Sequence, residues 1–154
     1  VAAVGLKDAL LAKGHTVYDH QGMPAAEARK TRRAELTSDV FVASSNAVTL
    51  EGELVNVDGV GNRVAALTFG PDKVIVIVGA NKIVKDEAAG RERVRRVAAP
   101  LNALRLSRKT PCATLGYCTN CKAPDRQCCA TVVTHKPTAG SDFHIIVVGE
   151  TLGY

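Results

Sequence analysis

The side chains with the most distinctive chemistry in this 154-residue chain are five cysteines, all inside one short stretch. Cys112, Cys118, Cys121, Cys128 and Cys129 lie in Thr110 to Cys129, TPCATLGYCTNCKAPDRQCC. Thiolates are soft, strongly donating ligands, and four that converge on one point bind zinc or an iron–sulfur cluster. Cys118-Thr119-Asn120-Cys121 has the C-x-x-C spacing at which a tight turn aims two sulfurs at one metal. Cys112 and either Cys128 or Cys129 complete a set of four. Zinc sites often carry two such knuckles and this stretch has one, so spacing alone leaves zinc and iron–sulfur level. Pro111, Gly116 and Pro124 predict a loop without helix or strand, its shape fixed by the metal. An odd number of clustered cysteines favours metal binding in a reducing compartment over a disulfide framework, and makes cytoplasmic the default location.

Other candidate chemistry is weaker. Asp58-Gly59-Val60-Gly61-Asn62-Arg63 follows a predicted strand and could present backbone N–H groups to a phosphate. It lacks the third glycine of a dinucleotide fingerprint and the lysine of a P-loop, so an ordinary strand-to-helix turn is the preferred reading. His15, His20, His135 and His144 have no ligand spacing and read as structural or exposed. Ser44-Ser45 lies in no nucleophile elbow, and no serine–histidine pairing can be drawn.

Stepping out to the elements that must position these residues, the length suits one domain, 1–154, with the 110–129 loop inside it. No apolar run nears the ~20 residues needed to span a membrane. The chain opens at Val1 in what reads as the middle of a helix, so preceding residues, a removed targeting signal among them, are expected, while GETLGY reads as a natural end. The net charge of +5 is unevenly placed. Residues 82–136 carry twelve Lys or Arg against Asp86, Glu87, Glu92 and Asp125, a basic region suited to a phosphate-bearing cofactor or an acidic partner, or simply to solvent. Nucleic acid is disfavoured, because aromatic residues for base stacking are few and no groove-reading pattern occurs.

Val4–Lys13 reads as the tail of an amphipathic helix stopped by Gly14, and His15–Tyr18 as a short strand. A helix is predicted over Pro24–Leu36 and a strand over Asp39–Ser44. Thr49–Asp58 reads as a hairpin turning at Glu51-Gly52, and Arg63–Phe69 as a short helix. Val74–Val78 is an unbroken β-branched run, the mark of a central strand buried on both faces. Asp86–Leu106 is the best helix, capped by Asp86, with Val94, Val97, Ala98, Leu101 and Leu104 as its apolar stripe and Pro100 kinking or splitting it. Ala130–His135 and His144–Val148 close the list as strands, and the alternation makes the chain α/β.

Taken together, SSNAVTLEGELVNVDGVGNRVAALTFGPDKVIVIVGANKIVKD (44–86), RVRRVAAPLNALRL, the cysteine loop and HIIVVGETLGY resemble the LUD (lactate utilisation) domain family, in its small single-domain branch with a cysteine cluster. The resemblance implies a Rossmann-like three-layer sandwich similar to the ribose-5-phosphate isomerase/CoA-transferase fold, with a cysteine-rich metal-binding loop. It implies a link to organic-acid oxidation beside iron–sulfur proteins. It selects Cys112, Cys118, Cys121 and Cys128 as ligands, leaves Cys129 as an extra thiol, and tips the choice to a [4Fe-4S] cluster over Zn. It also implies a cleft of Asn46, Thr49, Asp58, Asn62, Arg63, Asn81 and Lys82 for a small anionic substrate or nucleotide. Arg63 and Lys82 would pair with carboxylate or phosphate there. A redox partner protein and further copies of the chain are the other partners it leaves open, and similar sequences run longer at the N-terminus.

Overall fold

The computed structural model describes residues 4–154. Its described residues form an α/β domain built on two sheets. Three parallel strands, β1 (Val40–Ala43), β4 (Lys73–Gly79) and β7 (Asp142–Val148), make the first, with β4 in the middle. The central place follows from composition: Val74, Val76 and Val78 are almost wholly buried, and a β-branched run satisfies a strand flanked on both edges. The second sheet is mixed, in the order β5 (Ile83–Val84), β2 (Ala47–Thr49), β3 (Leu54–Asp58), β6 (Ala130–Thr134). β2 and β3 are the expected hairpin, paired antiparallel with Val48 opposite Leu54, and the Gly52 N–H closes the turn onto the Thr49 carbonyl.

Helix α3 (Asn62–Phe69) buries Ala66 and Leu67 in one core with Phe41, Val48, Leu54, Val74, Val76 and Val78, so both sheets share it. A second core lies where Ala47 and Val55 meet Val94. The remaining helices are α1 (Leu6–Ala12), α2 (Ala25–Glu35), α4 (Glu87–Arg93), α5 (Ala99–Arg105) and the short α6 (Pro111–Leu115). None of the described helices is long and apolar enough to cross a membrane.

Three expectations change. His15–Tyr18 is not a strand; it has no partner to complete a ladder and runs as irregular chain. The long helix is divided near Pro100 as expected, but by a π turn, Val94–Ala98, between α4 and α5. A π turn absorbs the carbonyl that proline leaves unbonded, and its extra residue advances the buried face. Pro100 and Ala103 are therefore buried, while Leu101 and Leu104, placed in the apolar stripe by periodicity, are 43% and 60% exposed. Cys112 sits in α6 rather than in loop, because Pro111 occupies a first-turn position, where its missing N–H costs nothing. Gly116 then ends α6 in the left-handed conformation, φ +78°.

Candidate functional site

β1 and β4 run side by side and parallel, so their carboxyl ends open at one edge of the first sheet, the usual ligand position in open α/β sheets. Ser44, Ser45 and Asn46 follow β1, Asn81 and Lys82 follow β4, and Asp58 ends β3. Arg63, in the first turn of α3, is the hub. Its Nε and Nη2 donate to Asp58 Oδ1 at 2.9 and 2.6 Å. Nη1 reaches the Ser44 carbonyl (2.8 Å) and Asn56 Oδ1 (2.6 Å), and Nη2 reaches Asn46 Oδ1 (2.8 Å) and the Val57 carbonyl (3.0 Å). Five N–H donors meet six acceptor contacts, so the guanidinium is saturated by the protein and has no N–H left for a ligand. Asp58 is equally engaged, its other oxygen accepting the Val64 N–H at 2.9 Å. Buried Asn56 uses Oδ1 on Arg63, Ser45 and the Asn46 N–H, while its Nδ2 has no acceptor among the described residues.

Lys82 is the opposite case. It is 5% exposed, and its ammonium donates to Ser44 Oγ at 3.0 Å and the Ser45 carbonyl at 3.2 Å. No carboxylate pairs with it among the described residues. Burial first, then the Arg93 and Arg63 charges, pull its pKa down to about 8. Arg93 comes in from α4, with Nε on the Asn81 carbonyl (3.1 Å) and Nη1 on the Asn46 carbonyl (2.6 Å). Its Nη2 has no protein acceptor among the described residues, and burial lowers its pKa as well. Sequence reading counted Arg93 only among the cations of the 82–136 basic region and passed over Ser44 as a ligand-side group. α4 starts at the Asp86 cap on the Ala89 N–H (2.9 Å), and Arg93, in its last turn, reaches inward to the Asn81 and Asn46 carbonyls.

The remaining cleft candidates separate. Asn81 faces the segment after β7: its Oδ1 accepts the Leu152 N–H and its Nδ2 donates to the Gly153 carbonyl, both at 3.1 Å. That segment lies so close over Gly79 that a Cβ there would stand 2.4 Å from the Leu152 nitrogen, which reserves the position for glycine. Thr49 is buried at the hairpin turn, where its hydroxyl accepts the Glu53 N–H at 3.0 Å, and it makes no hydrogen bond to the Arg63 group. Asn62 is half-buried beside Arg63 and its side chain bonds none of the others.

Cys112, Cys118, Cys121 and Cys128 line one small cavity of about 20 Å³, with Arg126 and Gln127 on its wall. Asn120 at φ +50° makes the tight turn between Cys118 and Cys121, and its N–H points at Cys118 Sγ (3.3 Å). Arg126 ties the loop to itself, donating to the carbonyls of Cys121 (2.6 Å) and Cys128 (3.0 Å). Burial pushes the Cys128 thiol up, and the three other thiols add to that while Arg126 opposes it. Cys112, Cys118 and Cys121 therefore stand within electrostatic reach of Cys128. Cys129 is exposed and turned out, its thiol on the Arg126 carbonyl at 3.3 Å. Among the described residues no three His, Cys, Asp or Glu side chains are grouped tightly enough to hold a single metal ion. The loop docks through the Cys118 N–H on the Arg95 carbonyl (3.1 Å) and the Cys129 N–H on the Asp58 carbonyl (3.0 Å).

An α/β domain with a saturated polar hub at its strand ends and a thiol-lined loop packed against it is thus the class of protein at hand. The chain belongs to the LUD domain family, whose model matches residues 1–148. A crystal structure of a DUF162 family protein from Deinococcus radiodurans is similar to it at 17% identity, covering 92% of this chain and 81% of that one, with a TM-score of 0.44. No curated protein matches it.

Proposed function

We propose that the chain is a redox-associated metabolic protein linked to organic-acid, lactate-type oxidation, with Cys112, Cys118, Cys121 and Cys128 holding a [4Fe-4S] cluster. The observation that carries this reading is the ring of four thiols round one cavity, with the fifth turned away. Zinc would need its sulfurs about 3.8 Å apart, from Zn–S bonds of about 2.3 Å in a tetrahedron. A four-iron cluster gives each thiolate its own iron, so it does not need the sulfurs grouped round a single ion. When bound, the cluster supplies one-electron transfer. Around it the Asn120 N–H and the Thr110 hydroxyl, 3.3 Å from the sulfurs of Cys118 and Cys112, would spread the thiolate charge and tune the potential. On this reading the fold is a Rossmann-like three-layer sandwich of the ribose-5-phosphate isomerase/CoA-transferase kind, in the cytoplasm. The small anionic substrate or nucleotide lies against Lys82 and Arg93, with a redox partner protein to exchange electrons.

Anaerobic purification followed by a visible spectrum and iron, sulfide and zinc analysis tests it. Iron matching sulfide, with a broad visible band lost in Cys118→Ser, is the expected result. A colourless protein carrying one zinc per chain sinks the electron-carrier reading and makes the loop structural.

A second reading, a non-enzymatic subunit whose metal-held loop docks a partner, draws on the open groove beside Cys118 lined by Arg95, Tyr117 and the Arg96–Glu92 ion pair. Reversing both charges with Arg95→Glu and Arg96→Glu would abolish capture of an acidic partner there and leave anion binding at Lys82 unchanged.

A further inference from the structure

We infer that Lys82 is a carbonyl-capturing amine, forming an imine with a small 2-oxo acid whose carboxylate is held by Arg93. The inference rests on the anion-binding cleft proposed above and gives it a chemical class of ligand.

Three observations carry it. Among the described residues Lys82 is a buried cation without a carboxylate partner, which is costly and rare for a purely structural lysine. Its Nζ is fixed by Ser44 Oγ and the Ser45 carbonyl, so the amine is held in place rather than sweeping solvent. Arg93 donates to the carbonyl of the preceding residue, Asn81, and to that of Asn46, close enough for its charge to act on Lys82, and its Nη2 has no protein acceptor among the described residues. The surrounding charges are Lys82, Arg93 and Arg63 against Asp58 alone, and Asp58 is committed to Arg63. The local excess is positive, which draws a carboxylate and keeps part of the Lys82 population neutral near pH 8.

The step balances without an oxidant. The neutral amine of Lys82 adds to the ketone carbon, and the C–N bond forms as the C=O π bond opens to a carbinolamine. The carbonyl oxygen then leaves as water with two protons, both originally on the amine nitrogen, and the C=N bond closes. The Ser44 hydroxyl, 3.0 Å from Nζ, is placed to pass those protons. Gly153, in the segment held by Asn81, packs close to the amine: a Cβ there would stand 3.6 Å from Nζ.

Incubating the full chain with pyruvate and sodium borohydride, then mapping the adduct by peptide mass spectrometry, tests the inference. One reduced adduct per chain at Lys82 is expected, absent in Lys82→Arg, with a trapping rate that climbs as pH rises towards about 8. Acetone, which lacks the carboxylate, should trap at least about tenfold more slowly, and Arg93→Gln should erase that preference. Adducts scattered over surface lysines overturn the inference. No adduct while pyruvate still binds in a Lys82-dependent way by calorimetry also overturns it, but leaves the anion cleft standing. Neither adduct nor binding removes both.

Discussion

The Arg63 hub and the cysteine loop touch through Asp58, whose carboxylate takes Arg63 and whose carbonyl takes the Cys129 N–H, yet they are built on opposite plans. In the hub, every charged donor has an acceptor and the paired acid lies beside it, so the group is complete as folded. In the loop, backbone bonds to Arg95 and Asp58 and the arms of Arg126 fix the ends, while four thiols line a cavity where burial first, and then the neighbouring thiols, raise the Cys128 pKa. Completeness marks scaffold; unspent donor or ligand capacity marks a place for something else. By that measure Arg63, the more obvious anion partner by residue type, is scaffold, and the proposed anion site falls to Lys82 and Arg93.

Breaking the hub should have the largest effect. Arg63→Ala leaves Asp58 buried and uncompensated and is expected to cost about 3–5 kcal/mol, measured by urea unfolding. Arg63→Lys should recover little, since a point charge cannot bridge acceptors on both strands.

Lys82→Met sharpens the contrast with the opposite sign. The folded pKa of about 8 lies below the ordinary 10.5, so below pH 8 both states carry the proton and the native state bears the full cost of a buried charge. Between pH 8 and 10.5 the native state sheds its proton first, and stability of the parent rises by roughly 3 kcal/mol. The variant should therefore be more stable than the parent by about 1–3 kcal/mol at pH 7, after losing the bond to the Ser45 carbonyl, with the gain fading towards pH 10.5. A gain independent of pH would place the benefit in packing rather than in the charge.

Arg126→Ala tests how far the loop holds itself. Losing two charge-assisted bonds to loop carbonyls should cost about 1–2 kcal/mol in metal-free protein. Cys129→Ser, at an exposed thiol, should stay within about 0.5 kcal/mol and leave metal content unchanged. A loss of metal in Cys129→Ser would move the ligand from Cys128 to Cys129.

Local pattern was a good guide wherever a short range decides. The β2–β3 hairpin, the central β4, the Asp86 cap and the family all follow from period, turn chemistry and motif. The π turn escaped, because one inserted residue resets the helical phase and nothing in the Val94–Leu104 periodicity announces it. Thr49 escaped for a different reason: its residue type suits a cleft, but the Glu53 N–H four residues on claims its hydroxyl first.

What the amino-acid order determined by itself was therefore the inventory: α/β elements, four thiols with one to spare, and more cations than acids in the second half. What only the tertiary structure decided was which of those groups are already satisfied. Ser44 and Lys82 are 38 residues apart, and Asn46 and Arg93 47, so their pairing depends on how β1, β4 and α4 are packed. A side chain's type fixes how many hydrogen bonds it can make. Which partners fill them, and which donors are left over for a ligand, is settled by distances that no local stretch of sequence specifies.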